Sequence, residues 1–330
     1  MTTDAVRTGP WLRIRQATFE RFHIRLESVV VLFGLATIMA VLSPYFLSIG
    51  NILNILLATA TIGILAIGAT FVICSGGIDL SLGSVMGLSG VAGASLAVNW
   101  GAPSSLAVVA CLLAGTTAGF VNGILITRAL MPPFIVTLGM LGLARGLALV
   151  ISNGRVFYGL PDGMTYVGQG RPFGIPMPVM IFLLTALICH FILAYTRFGR
   201  HTLALGDSEA ATRAAGINVE RQRRILYALS GGLAGVAGLV FAARVNSGDP
   251  TAGNSYELTA ITAAIIGGTN LFGGRGSILG SIIGALIMGV LQNGLNLLAV
   301  QAYYQQMAIG GVLIVAVFLD QYQARKAARV

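Results

Sequence analysis

Residues 196–224 read TRFGRHTLALGDSEAATRAAGINVERQRR, between FLLTALICHFILAY at 182–195 and ILYALSGGLAGVAGLVFAA at 225–243. Six arginines fall inside this stretch: Arg197, Arg200, Arg213, Arg221, Arg223 and Arg224. The flanking runs are apolar, and crossing ~30 Å of hydrocarbon takes about 20 residues at 1.5 Å each. A basic island between two such runs reads as a loop between transmembrane helices, held on the cytoplasmic side by its charge. The island has helix signals of its own. Asp207 can N-cap a short helix, Glu209 suits its positive end, and Glu209 with Arg213 forms an i,i+4 pair in the favourable order. Ala210, Ala211, Ala214 and Ala215 favour helix, and Gly216 supplies a left-handed stop. Asn218 can cap the helix that follows. About two turns cannot hold themselves together in water, so the segment must pack on something.

The rest of the chain agrees with a membrane fold. Of 330 residues, 56% are hydrophobic and only 9% charged, with mean hydropathy +0.86; a soluble domain carries roughly a quarter of its residues as charges. The 44 glycines suit helices that approach closely in lipid. Candidate spans are 26–45, 52–74, 80–99, 105–127, 133–152, 178–196, 226–245, 256–270, 277–298 and 304–320, an all-α integral membrane protein of about ten helices. Most boundaries carry Pro, Gly or Asn, as at Ser43-Pro44, Gly50-Asn51 and Met131-Pro132-Pro133. The span at 256–270 is poor in apolar positions before GGTNLFGGRGS, so it reads as short, tilted or broken.

We divide the chain into a basic cytoplasmic tail at 1–25, one membrane domain at 26–321 containing the loop 196–225, and a second basic tail at 322–330. With both termini inside, sixteen of the twenty basic residues are cytoplasmic. The basic excess flanks apolar spans instead of forming a stripe with aromatics, which excludes nucleic acid as the partner. Cys74, Cys111 and Cys189 sit in apolar runs without CxxC spacing, as packing residues. His23, His190 and His201 are too scattered for a metal site, and no catalytic motif appears.

Several polar residues in or beside the spans are candidates for a substrate pathway. Asp79, in SGGID at 75–79, either caps the next span or lines the pathway, since an intramembrane carboxylate is costly. Arg145 lies mid-span and needs a partner: Asp79, Glu257 or backbone carbonyls. Asn54, Asn122, Asn293 and Asn296 are neutral amides that either bond across helices or line such a pathway. GGIDLSLGSVMG at 76–87 echoes GGTNLFGGRGSILG at 267–280 with a two-residue insertion, and glycine-interrupted segments in two halves point to a transport route. The series Gly276, Gly280, Gly284 and the pair Gly231, Gly235 have the spacing of close helix packing.

Several stretches resemble the ribose-type monosaccharide permeases of ATP-binding cassette importers. They are FVICSGGIDLSLGS at 71–84, FIVTLGMLGLARG at 134–146 with NGR at 153–155, and GDSEAATRAAGINVERQRRILYALSG at 206–231. PTAGNSYELTAITAAIIGGTNLFGGRGS at 250–277 and GALIMGVLQNGLNLLAV at 284–300 follow in the same order. The likeness runs from about Pro44 to Asp320. It implies a type II importer architecture in the bacterial inner membrane, commonly a homodimer. A cytoplasmic ATPase would bind the coupling residues Gly206, Asp207, Glu209, Ala210, Ala211, Arg213 and Gly216. An extracytoplasmic sugar-binding protein would face 157–178 and 247–256. ATP and Mg would be held by that ATPase, and no cofactor by this chain: a phosphate-cradling GxxxxGK[ST] needs its lysine, and the sole lysine is Lys326. An ion-coupled transporter would show a relay of intramembrane acids or histidines, and an integral membrane enzyme a catalytic constellation. Neither accounts for the capped helix in the island.

Overall fold

The computed structural model describes residues 26–327. In chain order the helices are α1 (Leu26–Leu42), α2 (Ile49–Cys74), α3 (Leu82–Asn99), α4 (Ser104–Arg128), α5 (Pro133–Ser152), α6 (Asp162–Gln169) and α7 (Met177–Tyr195). There follow α8 (Arg197–Asp207), α9 (Glu209–Ala214), α10 (Val219–Val245), α11 (Tyr256–Ile266), α12 (Ile278–Leu297) and α13 (Ala302–Ala327). Two short strands, β1 (Phe157–Tyr158) and β2 (Ser247–Gly248), pair antiparallel with Phe157 opposite Gly248.

Among the described residues seven helices, α2, α3, α4, α5, α7, α10 and α12, are long and apolar enough to cross a membrane. The other three expected spans correspond to shorter apolar helices: α1, α11 and the 302–318 part of α13. Their limits differ from the sequence reading. α1 ends at Leu42, and α11 ends at Ile266 because Gly267 and Gly268 turn the chain there. At 1.5 Å per residue its 11 residues reach only about 16 Å, so α11 does not cross by itself. α13 continues to Ala327, past the boundary drawn at 321. The tail 1–25 and residues 328–330 lie outside the described residues.

Local chemistry sets the helix ends. Ser48 accepts from the Asn51 amide at the start of α2, and Ser277 from the Gly280 amide at the start of α12. Asn153 and Asn246 close α5 and α10 in the left-handed conformation that asparagine tolerates.

The core is built around α2, which is buried on every side from Thr59 to Cys74 and lacks the polar face of a surface helix. Beside it, α10 packs along α4 through glycine. A Cβ at Gly115 would overlap the Gly231 carbonyl, one at Gly119 the Tyr227 carbonyl, and one at Gly123 would lie 2.8 Å from the Arg224 Cα. From the other side, a Cβ at Gly235 would lie 2.8 Å from the Cys111 carbonyl. Without Cβ atoms the two backbones touch directly, the arrangement that gains most dispersion where lipid offers no hydrophobic drive. Gly280 and Gly284 do the same for α12 against Gly267 and Ala263 at the end of α11. The glycine spacing of the sequence is therefore a packing feature.

Candidate functional site

The island folds into two helices. α8 begins at Thr196, whose hydroxyl accepts from the Gly199 amide at 3.3 Å, and it buries Gly199, Thr202 and Leu205. Arg197 and Arg200 remain exposed. Gln222 of α10 fastens it from the side, its Nε2 donating to the Phe198 carbonyl and to Thr202 Oγ1, each at 2.9 Å. Asp207 ends this helix, which corrects the sequence reading of Asp207 as the N-cap of the next one. The cap is Ser208: its backbone is extended, and its hydroxyl accepts from the Ala211 amide at 3.2 Å. Asp207 cannot cap because its own backbone still belongs to α8, and a capping residue must be non-helical.

α9 is small and open. Ala210, Ala211, Arg213, Ala214 and Gly216 are exposed, and only Thr212 is buried. Gly216, at φ +77°, stops it: its amide donates to the Arg213 carbonyl at 3.0 Å, and Ile217 to Thr212 at 3.3 Å. Asn218 then caps α10 through the Arg221 amide at 2.8 Å, as expected. Ion pairs tie α9 to α10. Glu209 bonds Arg213 at 3.0 Å and also Arg223 of α10, and Arg213 reaches Glu220 at 2.6 Å. The Arg213 hydrogen bond, helped by Arg223, holds the Glu209 carboxyl below its ordinary value.

Gly206, two residues before the extended Ser208, lies against the two glycine-interrupted segments that echo each other in sequence. The turn after α2 and the turn before α12 meet there, the Gly274 amide donating to the Cys74 carbonyl at 3.0 Å. A Cβ on Gly206 would overlap that carbonyl and the Gly274 nitrogen. The echo thus marks two loops that meet in space.

The remaining candidates fall into separate groups. Asp79 is buried in the extended link between α2 and α3. One oxygen accepts from the Ser81 amide at 3.0 Å and hydroxyl at 2.6 Å, and the other from Ser230 Oγ of α10 at 3.0 Å. Asp79 is not the helix cap expected of it, since α3 starts after Ser81 and Asp79 instead ties that turn to α10. Asn122 of α4 joins the group by donating to Ser81 Oγ at 3.1 Å, while its buried Oδ1 has no partner among the described residues.

Arg145 pairs with neither acid. Its Nη1 donates to the carbonyls of Pro250 and, at 2.8 Å, Ala252, and among the described residues no ion pair joins it to Asp79 or Glu257. Carbonyls of the loop after β2 take the place of a carboxylate. Glu257 is nonetheless near. A Cβ at Gly83 would overlap the Glu257 carboxylate, and one at Gly87 would lie 3.2 Å from Arg145 Nη1. Gly83 and Gly87 are one turn apart on the same face of α3, so both charged side chains lie over that face. Of the amides, Asn293 forms a reciprocal pair with Asn51 at 2.8 and 3.0 Å, joining α12 to α2. Asn296 is exposed and accepts from Gln305 of α13 at 2.8 Å. Asn54 is exposed on α2, apart from the others. Sequence reasoning missed Asn51, Ser208, Ser230 and the Gly273–Gly274 turn. Only Ser208 carried a local signal, the serine three residues before an alanine amide at a helix start.

A model of the family described as branched-chain amino acid transport system / permease component matches residues 51–317. The chain is 44% identical over 298 residues to the ribose import permease protein of Escherichia coli strain K12, spanning 89% of this chain and 92% of that one. It is 40% identical to the D-allose transport system permease protein of the same strain, over 92% of this chain and 93% of that one. With the xylose transport system permease protein of Haemophilus influenzae it shares 34% identity, over 93% of this chain and all of the other. No solved structure matches it.

Proposed function

The chain belongs to the branched-chain amino acid transport system / permease component family, and from that premise we propose that it is the membrane-spanning permease of a monosaccharide importer driven by a separate ATPase. The observation that carries the reading is α9: a short, exposed, alanine-rich helix fixed by caps and ion pairs to a membrane core, in a chain similar to sugar permeases. Its small side chains leave a low surface that fits a groove on a partner. Gly206, Asp207, Glu209, Ala210, Ala211, Arg213 and Gly216 make up that surface and its supports. ATP and Mg belong to the partner, because the phosphate-binding lysine motif is missing from this sequence.

The island's charge puts α9 on the cytoplasmic side with both termini. The segments 157–178 and 247–256 then face the other side, where a sugar-binding protein delivers substrate. Two copies of the chain enclose one path across the bacterial inner membrane, within the domain 26–321. The family description names amino acids, whereas the similar permeases are named for ribose, allose and xylose; the pathway polar groups favour the sugar. Arg145 and Glu257 over the α3 face, Asn122 Oδ1 beside Asp79, and the amides Asn54, Asn293 and Asn296 would offer hydrogen bonds to hydroxyls. Such a lining binds a polyol weakly enough to release it.

Uptake of radiolabelled ribose, allose, xylose and arabinose, compared in cells with and without the chain, tests this. One sugar should cease to accumulate when the chain is deleted, and its accumulation should stop when ATP is depleted. Accumulation that instead follows the ion gradient would sink the reading.

A further inference from the structure

A buried charge and a buried oxygen beside it both lack a partner. Asp79 is 2% exposed, and among the described residues no lysine, arginine or histidine pairs with it. It sits in the link after α2, which has no regular structure from Gly77 to Ser81. Ser230, which it contacts, lies about 16 Å along α10 from the island. A carboxylate enclosed at that depth is strongly disfavoured unless an opposite charge meets it. Asn122 is fully buried too; its Nδ2 donates to Ser81 Oγ, but its Oδ1 accepts from no described residue. Turning the amide over does not help. Ser81 Oγ already gives its only proton to Asp79, so Asn122 has to present its NH₂ there. In this closed packing no hydroxyl of a passing sugar reaches the orphaned oxygen either.

Three small species could fill the gap, and the two defects together choose between them. A proton on Asp79 would sit on Oδ2 and be donated to Ser230, because Oδ1 already accepts twice from Ser81. That cancels the charge and leaves Asn122 Oδ1 without a partner. A water satisfies the amide and leaves the charge. A monovalent cation does both. The donors suit a hard ion, which takes oxygen ligands: the Asp79 carboxylate, the lone pairs of Ser81 and Ser230, and Asn122 Oδ1. Only one of them is charged, so a single positive charge balances the set. The Ile78 carbonyl adds a further oxygen, since it receives only long hydrogen bonds, 3.3 Å from Tyr227 Oη and 3.4 Å from Thr137 Oγ1. Carbonyls of unwound backbone inside a membrane fold are suited to this task. Gly68 of α2 gives space beside Ser230, where even a Cβ would stand 3.4 Å from the Ser230 hydroxyl. Among the described residues Asp79 is the one acidic or histidine side chain that is buried, so such an ion is held and not relayed.

We propose that Asp79, Ser81, Asn122 and Ser230 hold one alkali-metal cation, sodium or potassium, as a fixed part of the fold. The ion would pin the link between α2 and α3 to α4 and α10. The site does not depend on the importer reading.

The purified full chain in detergent, without partner proteins or sugar, tests it. Melting is followed in sodium chloride, potassium chloride and choline chloride at equal ionic strength. With sodium or potassium the melting temperature should rise by at least about 3 °C over choline, and the rise should saturate. Asp79→Asn removes the charge and should abolish the rise. Ser230→Ala is a smaller change that leaves Asp79 both Ser81 bonds, and it should raise the half-saturating concentration by about tenfold or more. Each variant is compared with itself in choline, so a lower starting stability does not enter, and Ser230→Ala decides if Asp79→Asn does not fold. Equal melting of the unmodified chain in all three salts overturns the site. A rise that the folded variants keep, with unchanged half-saturation, places the ion elsewhere and overturns it as well.

Discussion

The seam between α4 and α10 and the island between α7 and α10 are neighbours along the chain, yet they are built on opposite principles. In the seam, Gly115, Gly119 and Gly123 let two long helices touch backbone to backbone, dry and closed. In the island, α9 is six residues long, exposed on most of its surface, and tied down by caps and solvent-facing ion pairs. Both regions rely on small residues. The seam uses them to bring its own helices together, and α9 uses them to leave room for something else. Stability should therefore depend on the seam and hardly at all on the island, whereas coupling should depend on the island.

The largest effect tests the first half of that contrast. Gly119→Leu would drive a side chain into the Tyr227 carbonyl, and overpacking of this kind costs about 1–3 kcal/mol or more. The monodisperse, detergent-stable fraction should collapse. Gly142 of α5 has nothing within 4 Å of a Cβ position, so Gly142→Leu should leave that fraction unchanged. Equal loss in both variants would mean that glycine acts through backbone entropy and not through contact, and the seam argument would fail.

Next comes the buried knot that fixes the link between α2 and α3 to α10. Asp79→Ala would strand the Ser81 amide, the Ser81 hydroxyl and Ser230, at about 1–3 kcal/mol for each buried donor left unpaired. Asp79→Asn keeps one acceptor oxygen and should lose less in a thermal unfolding series. Arg145→Met should cost less again, about 1.5–3 kcal/mol for charged hydrogen bonds lost. Its main readout is faster proteolysis within 249–255, the loop whose carbonyls Arg145 holds.

These groups also show where sequence reasoning reaches its limit. The ten apolar helices, the Gly216 stop, the Asn218 cap and the Glu209–Arg213 pair are local, set by residues within four positions of one another, and all are present in the fold. The Arg145 partner is not local: backbone carbonyls a hundred residues away carry no signature in the residue types at 250 and 252. Asn51 with Asn293 is the same case. Either amide signals a need for a partner, but only the packing of α2 against α12 chooses which one. The cap at Ser208 was missed for another reason. Residues 197–207 form a helix that the sequence reading does not place, so Asp207 is the last residue of one helix and not the cap of the next.

The smallest effect belongs to the island. Glu209→Gln removes the charge from pairs with Arg213 and Arg223, and exposed pairs of this kind contribute no more than about 1 kcal/mol. Thermal stability should barely move. The sign of its pH dependence is fixed nonetheless. Glu209 sits below its ordinary value of 4.5 because of those arginines, so the unfolded chain takes up a proton there more readily than the folded one. The contribution is then complete above pH 4.5 and is lost as pH falls through the lowered value. From neutral pH down to about 5 the unmodified chain and Glu209→Gln should run parallel, and their melting curves should converge only in more acid solution. Divergence at neutral pH, growing as the solution becomes more alkaline, would show that Glu209 does more than pair. In that event the island would carry stability that this structure assigns to the seam.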